Sequence, residues 1–218
     1  MLLNAKENMI RRAAQEIKDG MTVNLGIGLP TQVVNYVDPD TSVCLHSENG
    51  ITGVGPTLPY DQADRNLIDA GGAYVSTIAG SAFIDSATSF SLVRSGRLDL
   101  TILGAFQISM GGDLANWIIP GLFTPGAGGA MELAQKARRV VILTMHRDKK
   151  GQSKIVKECS LPLTAAACVK RIYTDMAVLD ITDDGIILRE IAKGLNVDDV
   201  INATDAPLII PEGQLPIF

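Results

Sequence analysis

The short segment SENG, residues 47–50, places a carboxylate shortly after the apolar run SVCL. One hypothesis is an ordinary strand-to-loop exit, in which Ser47 or Asn49 caps a turn and Glu48 lies in solvent. The other hypothesis is that Glu48 is a nucleophile, since a carboxylate can attack a carbonyl carbon and form an anhydride or a thioester. Carboxylates are weak nucleophiles, so this second hypothesis requires hydrogen-bond donors for the oxyanion that forms during the attack.

Two glycine-rich segments are candidates for those donors. GIGLP at residues 26–30 and PGAGGAM at residues 125–131 each precede a predicted helix. Because glycine has no side chain, the backbone N–H groups of such turns can approach a ligand closely. GIGLP resembles the start of a dinucleotide-binding fingerprint, but Thr31 replaces the third glycine, so this signal is weak by itself. Two such turns and one carboxylate would make a site for an anionic carbonyl intermediate.

Histidine and cysteine chemistry has little support in the sequence. The chain has two histidines, His46 and His146, and three cysteines that form no CxxC motif. This spacing matches neither a zinc site nor a serine–histidine pair, so we predict no metal. An odd number of cysteines favours a reducing compartment, and we expect the cytoplasm.

The composition is that of a globular protein. Hydrophobic residues make up 46% of the 218 residues and charged residues 20%. The net charge of −5 argues against a nucleic-acid surface. No apolar stretch is long enough to span a membrane, and the charged amphipathic N-terminus does not resemble a signal peptide.

Hydrophobic periodicity predicts alternating strands and helices. Strands are expected in MTVNL, TSVCLHS, YVSTIAG, LDLTILGAF, RRVVILTM, MAVLDIT, IILREI and PLII. Helices are expected at residues 4–18, 31–37, 89–96, 131–137, 164–171 and 196–204, and residues 50–72, rich in Gly, Pro and Asp, are expected to form a long surface excursion. We find no linker and no internal repeat, so residues 1–218 are predicted to form one α/β domain. Its fold is an open, mainly parallel sheet with helices on both faces.

The sequence resembles the β subunit of two-subunit class I CoA-transferases, the group that includes butyrate–acetoacetate and 3-oxoacid CoA-transferases. The resemblance covers almost the whole chain and is carried by KDGMTVNLGIGLPT, LHSENGITGVGP, NLIDAGG, FIDSATSFSLVRSGRLDLTILGAFQIS, GDLANWIIPG, GAGGAMELAQKARRVV, KECSLPLT and LREIAKGLNVDDV. In this context SENG is the family's catalytic signature. The resemblance implies that Glu48 forms a glutamyl-CoA thioester in a ping-pong exchange.

The resemblance also implies the surroundings of the reaction. Coenzyme A would be a substrate, no metal or redox cofactor would be needed, and an α subunit would complete the enzyme, most simply as α2β2. The expected substrates are short-chain acyl-CoA molecules of about four carbons, with acetoacetate or acetate as the partner acid. No arginine lies close to Glu48 in sequence to pair with a second carboxylate, although Arg65, Arg94 and Arg97 could reach the site through the fold.

Further site residues follow from the family pattern. The Gly129 N–H would face the glutamyl carbonyl, and the Ile27 N–H, in the turn with Gly28, would be the second donor. Gln107 could polarise the substrate carbonyl or fix a loop, and Asn49 could orient the glutamate or cap a turn. The other expected substrate-binding positions are Gly26, Gly128 and Ala130. Asn116 and Trp117 are expected to hold the fold.

The chain departs from the family pattern at Leu122, Ala127 and His146, where a lysine, a methionine and a glutamate are common. These changes leave the thioester chemistry intact but put the CoA contacts and the substrate class in doubt. Two alternatives share this general architecture. A sugar-phosphate isomerase would use a carboxylate as a proton-transfer base, and a metabolite-sensing module would bind without turnover.

Overall fold

The computed structural model describes residues 2–124 and 126–218, so Pro125, the first residue of PGAGGAM, lies outside the described residues. The helices are α1 (Leu2–Ala14), α2 (Ser86–Arg94), α3 (Ala130–Lys136) and α4 (Val197–Ala203), with a 3₁₀ helix at Pro30–Tyr36. The strands are β1 (Thr22–Leu25), β2 (Cys44–Ser47), β3 (Ile51–Thr57), β4 (Val75–Phe83), β5 (Leu100–Leu103), β6 (Gln107–Ser109), β7 (Leu114–Ala115), β8 (Arg139–Leu143), β9 (Ile155–Val156), β10 (Val169–Tyr173), β11 (Ala177–Thr182), β12 (Gly185–Ile191) and β13 (Leu208–Ile209).

Ten strands form one open sheet in the order β13-β12-β11-β10-β8-β5-β1-β2-β3-β4. The central strands β2, β1, β5, β8 and β10 are parallel, whereas β3 and β4 at one side and β11 and β12 at the other are antiparallel. A second sheet of three strands has the order β7-β6-β9. The predicted fold class, an open and mainly parallel sheet with helices, is confirmed.

The central sheet is buried on both faces. In β8, Val140 and Ile142 belong to the core under α2 and α3, and Val141 and Leu143 belong to the core under α1. This is the two-residue alternation of a strand between two helical layers, and it explains why VVIL, residues 140–143, is a continuous apolar run. No helix in the described part of the chain is long and apolar enough to cross a membrane.

The helix predicted at 164–171 is wrong. Residues 164–168 are irregular, and β10 begins at Val169. The backbone there bonds to a neighbouring segment instead of to itself: the Thr164 N–H donates to the Leu114 carbonyl at 2.6 Å, and the Cys168 N–H donates to the Gly112 carbonyl at 2.9 Å. Ala167 also has a positive φ of 48°, which ends any helical run. Tertiary hydrogen bonds therefore override the helix propensity of three alanines.

The excursion predicted at 50–72 is shorter than expected. Its first part is β3, which pairs with β2 and with β4, so only residues 58–74 connect two strands. Gly53, Gly55 and Pro56 made ITGVGPT resemble a loop, yet the strand accommodates them with two register breaks. The helix expected after Pro30 is present as a 3₁₀ helix.

Candidate active site

Glu48 lies at the carboxyl edge of the parallel strands. It follows β2 directly, and β2 pairs in parallel with β1, with His46 opposite Asn24. The side chain is half-buried. The crevice outside the carboxyl ends of parallel strands is where open α/β sheets bind ligands.

A buried amide holds one oxygen of the Glu48 carboxylate. The Asn24 Nδ2 group donates to Glu48 Oε2 at 2.9 Å and to the His46 carbonyl at 3.1 Å, and Asn24 is only 1% exposed. The Thr101 hydroxyl contacts Asn24 Oδ1 at 3.5 Å, which favours this orientation of the amide. Glu48 Oε1 has no hydrogen-bond partner within residues 2–124 and 126–218. The carboxylate is thus held at one oxygen and open at the other.

Sequence reasoning missed Asn24. The available signal was a polar residue inside the apolar strand TVNL, one position before the GIGLP turn. A buried amide in a central strand needs hydrogen-bond partners, and Asn24 bonds to Glu48, which directly follows the neighbouring strand β2.

Gly50 has a structural reason to follow the glutamate. A Cβ atom at this position would lie 2.1 Å from the Ile84 carbonyl oxygen, and the Gly50 φ is +123°. The Gly50 carbonyl accepts a hydrogen bond from the Ile84 N–H at 2.9 Å, and its own N–H donates to the Ser47 carbonyl at 3.0 Å. Only glycine allows the chain to turn into β3 against Ile84.

The polar residues beside Glu48 bind the loop that follows β3. The Asn49 Nδ2 group donates to the Ile68 carbonyl at 2.8 Å, and the Ser47 hydroxyl accepts from the Ala70 N–H at 2.8 Å. Asn49 thus contacts the NLIDAGG segment, and its amide makes no hydrogen bond to Glu48. These two bonds fix the SENG turn and the loop relative to each other.

The PGAGGAM segment reaches the glutamate through its backbone. Gly129 lies directly before α3, and a Cβ atom there would come 2.9 Å from Glu48 Cγ and 3.2 Å from the Phe90 ring. Gly129 has an ordinary φ of −79°, so a side chain is excluded by the glutamate and Phe90 rather than by backbone strain. Gly128, the preceding residue, has a positive φ of 48°, and Ala130 is the first residue of α3.

The GIGLP turn follows β1 at the same edge of the sheet. The Gly26 N–H donates to the Ile102 carbonyl at 2.8 Å, so it is occupied by β5. Ile27 is 69% exposed, and Gly28 has a φ of +95°. Within the described residues, neither the Ile27 N–H nor the Gly129 N–H has a hydrogen-bond acceptor. These two groups are therefore available to a ligand, whereas the Gly26 N–H is not.

The Gln107 amide hydrogen-bonds to another segment of the chain. Its Oε1 accepts from the backbone N–H groups of Ser160 at 2.9 Å and Leu161 at 3.0 Å, and its Nε2 donates to the Ser160 hydroxyl at 3.0 Å. Of the two roles that the sequence allowed, these contacts are those of a residue that fixes a loop. The second Nε2–H has no acceptor among the described residues, so a role in polarising the substrate stays a prediction.

Asn116 and Trp117 make similar structural contacts. Asn116 Nδ2 donates to the Gly104 carbonyl at 3.0 Å, and Trp117 Nε1 donates to the Leu163 carbonyl at 3.2 Å. Both side chains hold backbone segments in place. Leu122, one of the departures from the family pattern, is exposed.

Neither histidine hydrogen-bonds to Glu48. His46 Nε2 pairs with the Ser89 hydroxyl at 2.8 Å, while the buried His46 Nδ1 has no partner among the described residues. Burial lowers the pKa of His46, although the nearby Glu48 charge opposes this shift. His146 bonds to Thr174 and Thr204, and burial lowers its pKa to about 4. Both rings are therefore neutral at pH 7.

The arginines that could have reached the site are mostly engaged elsewhere. Arg94 forms an ion pair of 2.8 Å with Glu132, and Arg65 stacks over the Tyr60 ring at 5.0 Å. Arg97 is exposed and lines a small cavity that also contains His46. No group of three or more His, Cys, Asp and Glu side chains in the described chain is arranged to hold a metal ion.

Comparison of the sequence with known proteins identifies the family of this chain. The family model described as Coenzyme A transferase matches residues 6–203. The probable coenzyme A transferase subunit beta of Bacillus subtilis (strain 168) is 46% identical over 205 residues, which are 94% of this chain and 94% of that protein. The chain therefore belongs to the coenzyme A transferase family, and it is a transferase of the EC 2.8.3 type that moves CoA between an acyl-CoA and an acid.

Two longer proteins are also similar to the chain. The human mitochondrial succinyl-CoA:3-ketoacid coenzyme A transferase 2 is 44% identical over 216 residues, which are 98% of this chain but 42% of that protein. The structure of the acyl-CoA transferase YdiF from Escherichia coli O157:H7 has the same fold, with a TM-score of 0.78 at 20% identity, over 98% of this chain and 43% of that one. The Bacillus relative is named a subunit beta, which implies a second subunit for that protein.

Proposed function

We propose that Glu48 is the nucleophile of a ping-pong CoA transfer. Its carboxylate attacks the thioester carbonyl carbon of the acyl-CoA, and the C–S bond breaks to give a mixed acyl–glutamyl anhydride and the CoA thiolate. The thiolate then attacks the glutamyl carbonyl carbon, and the first acid leaves as its carboxylate. A glutamyl-CoA thioester remains, and an acceptor carboxylate reverses both steps.

The observation that carries this proposal is the asymmetric environment of the carboxylate. Asn24 holds Oε2 at 2.9 Å, and Oε1 has no partner within the described residues. A neutral amide orients the group without the strong charge pairing that an arginine would provide, so the free oxygen keeps its electron density for attack. Positioning of this kind also reduces the entropy that must be lost to reach the transition state.

Backbone N–H groups are the proposed oxyanion donors. Each tetrahedral intermediate carries a negative oxygen, either on the acyl carbon or on the glutamyl carbon. A Cβ atom at Gly129 would lie 2.9 Å from Glu48 Cγ, so this residue adjoins the glutamate, and its N–H is the proposed donor to the glutamyl carbonyl oxygen. Ile27, on the exposed turn after β1, is proposed for the acyl oxygen.

The covalent intermediate can be tested by mass. The complex with its partner subunit is incubated with an acyl-CoA, and the peptide that contains Glu48 is expected to gain the mass of CoA less one water. Adding an acceptor acid should remove the adduct and produce the new acyl-CoA. Freshly prepared Glu48→Gln protein should form no adduct. An adduct of the same size on another residue would contradict the assignment.

We also propose that the substrates are short-chain acyl-CoA molecules of about four carbons, with acetoacetate or acetate as the partner acid. The human relative is named for succinyl-CoA and a 3-ketoacid. The 3-ketoacid supports a partner such as acetoacetate, whereas succinyl-CoA is a dicarboxylate donor, from which the preference proposed for this chain departs. Arg94 is already paired with Glu132, so it offers no free guanidinium to a second carboxylate. This favours monocarboxylate donors such as butyryl-CoA.

A panel of donors and acceptors, ranked by kcat/KM with the assembled enzyme, tests the substrate class. Butyryl-CoA and acetoacetyl-CoA should rank above succinyl-CoA. The opposite order would overturn the monocarboxylate proposal and leave the glutamyl thioester unaffected. An ion pair to a distal carboxylate contributes about 1.5–3 kcal/mol, which is enough to reverse such a ranking.

The proposed active form is a hetero-oligomer, most simply α2β2, in the cytoplasm. The human relative has more than half of its length outside the match, and the Bacillus relative of similar length is named a subunit beta; both support a complementary subunit. Full exchange activity by the isolated chain, shown by mass spectrometry to be free of any partner, would contradict this.

A further inference from the structure

The sheet ends at one side in a long strand whose outer edge is open. β4 has nine residues and pairs with β3 alone, so its other side has no strand partner within the described chain. Ile78 and Phe83 on this strand are 43% and 67% exposed. The opposite edge is different, because β13 has only two residues.

The ribbon formed by β3 and β4 has no charged residue. ITGVGPT and VSTIAGSAF have seven and nine residues, and a chain with 20% charged residues would be expected to place about three charges in a stretch of that length. Exposed edge strands normally carry charges or proline that prevent pairing with another chain, and β4 has neither. Loss of charge together with exposed large apolar side chains is typical of the centre of a protein–protein interface.

The ribbon is continuous with the candidate active site. β3 begins at Ile51, three residues after Glu48, and Ile51 pairs with Phe83 at the end of β4. The Gly50 carbonyl accepts a hydrogen bond from the N–H of Ile84, the residue that follows β4. A chain that docks on this ribbon would therefore lie beside the open face of Glu48.

We propose that the β3–β4 ribbon is the docking surface for the complementary subunit, which pairs with or covers β4. This inference rests on the proposed two-subunit enzyme. It favours that partner over a second copy of this chain because the human relative carries more than half of its length outside the match, enough for a second unit of this size in the same polypeptide. Docking there would also exclude water from the glutamyl thioester.

A charge on β4 tests the proposal. Ile78→Lys places an ammonium on the open edge, and Ile209→Lys on β13 is the matched control, since Ile209 is 40% exposed and lies at the opposite edge of the same sheet. Each variant is titrated with the complementary subunit from the same source, and the Kd is measured along with the unfolding midpoint of the isolated chain. We expect Ile78→Lys to raise the Kd at least tenfold and Ile209→Lys to change it less than twofold.

Hydrogen exchange supplies a second measurement that does not depend on a folded variant. In the wild-type complex, amides of residues 75–83 should exchange at least tenfold more slowly than in the isolated chain. Wild-type complex formation with unchanged exchange in β4 and an unchanged Kd for Ile78→Lys would overturn the docking site while the two-subunit function stood. If wild-type chains formed no complex at all, the proposed function itself would fail. A homodimer of the isolated chain that Ile78→Lys dissociates would assign the ribbon to a second copy and also overturn the proposal.

Discussion

The region around Glu16 and the region around Glu48 surround a carboxylate with different hydrogen-bond partners. Glu16, after α1, is 11% exposed in its side chain and accepts hydrogen bonds from Arg139 at 3.0 Å, Arg171 at 2.8 Å and the Tyr173 hydroxyl at 2.6 Å. Burial alone would raise the pKa of Glu16, but these hydrogen bonds outweigh it and lower the pKa. Glu48 has one neutral amide partner and an open oxygen.

The histidines repeat this contrast. His146 has both ring nitrogens bonded, to Thr174 and to Thr204, whereas His46, beside the site, has an unpartnered Nδ1 among the described residues. In the region around β8 and β10, which we call the saturated region, every one of these side chains has its hydrogen-bond partners. Near Glu48 the two atoms differ: the buried His46 Nδ1 lacks a partner, which costs stability, whereas Glu48 Oε1 is not buried and stays available for a substrate. Four substitutions test this contrast.

The largest expected effect is that of Glu48→Gln. The variant keeps the shape of the side chain and can still accept from Asn24, but it lacks the proposed attacking oxygen. Exchange between an acyl-CoA and an acid should fall by several orders of magnitude. The free energy of unfolding should change by less than about 0.5 kcal/mol, because no ion pair is lost. Wild-type turnover by a freshly purified variant would contradict the role of Glu48 as nucleophile. Fresh protein is needed because deamidation of the glutamine regenerates the glutamate.

Glu16→Gln should show the opposite behaviour. It leaves the partly buried Arg139 and Arg171 guanidinium groups without their shared carboxylate, although Arg171 keeps Asp180. We expect the free energy of unfolding in urea to fall by about 3 kcal/mol. Turnover per folded molecule should stay within twofold of wild type. A stable variant with impaired turnover would show that the two regions are not separable in this way.

Gly129→Ala tests the closeness of the glycine backbone to the glutamate. The new methyl group would lie 2.9 Å from Glu48 Cγ, so one of the two must shift. Displacing one oxyanion donor costs about 3 kcal/mol, and kcat should fall about a hundredfold with little change in the unfolding midpoint. Gly111→Ala is the control, because its nearest contact would be an ordinary 3.7 Å. Equal kcat values for the two variants would argue against a role for the Gly129 N–H.

The sequence predicted the parts of this contrast that depend on local patterns. The central strands follow from apolar runs such as VVIL, and the position of Glu48 at a strand end follows from SENG after SVCL. The partner of Glu48 could not be predicted, because Asn24 is 24 residues away and meets it only through parallel pairing of β1 and β2. The false helix at 164–171 has the same origin, since hydrogen bonds to residues 112–114 decide that backbone.

The smallest expected effect concerns His146, on the saturated side. The Thr204 hydroxyl donates to the Val200 carbonyl at 2.6 Å, so it accepts from His146 Nε2–H, and the Thr174 hydroxyl faces His146 Nδ1 at 3.0 Å. In the neutral ring the Thr174 hydroxyl donates to Nδ1 instead of to the Ala177 carbonyl, which lies 3.1 Å from it, and burial favours this uncharged form by lowering the pKa of His146 to about 4. Between pH 6.5 and about 4, His146 is protonated in the unfolded chain but neutral in the folded chain, so the free energy of unfolding falls as the pH falls.

This pH dependence can be isolated with His146→Gln. Between pH 7.5 and 5.5 the wild type should lose about 1 kcal/mol of unfolding free energy through His146, because one unit of pKa shift corresponds to about 1.4 kcal/mol. The variant is less stable at pH 7.5 because it loses hydrogen bonds, but its curve should be flatter by that amount, so the gap between the two proteins narrows as the pH falls. Urea denaturation at several pH values gives both curves. Parallel curves would mean that the folded state accepts the proton, and the saturated region would then be as adaptable as the neighbourhood of Glu48.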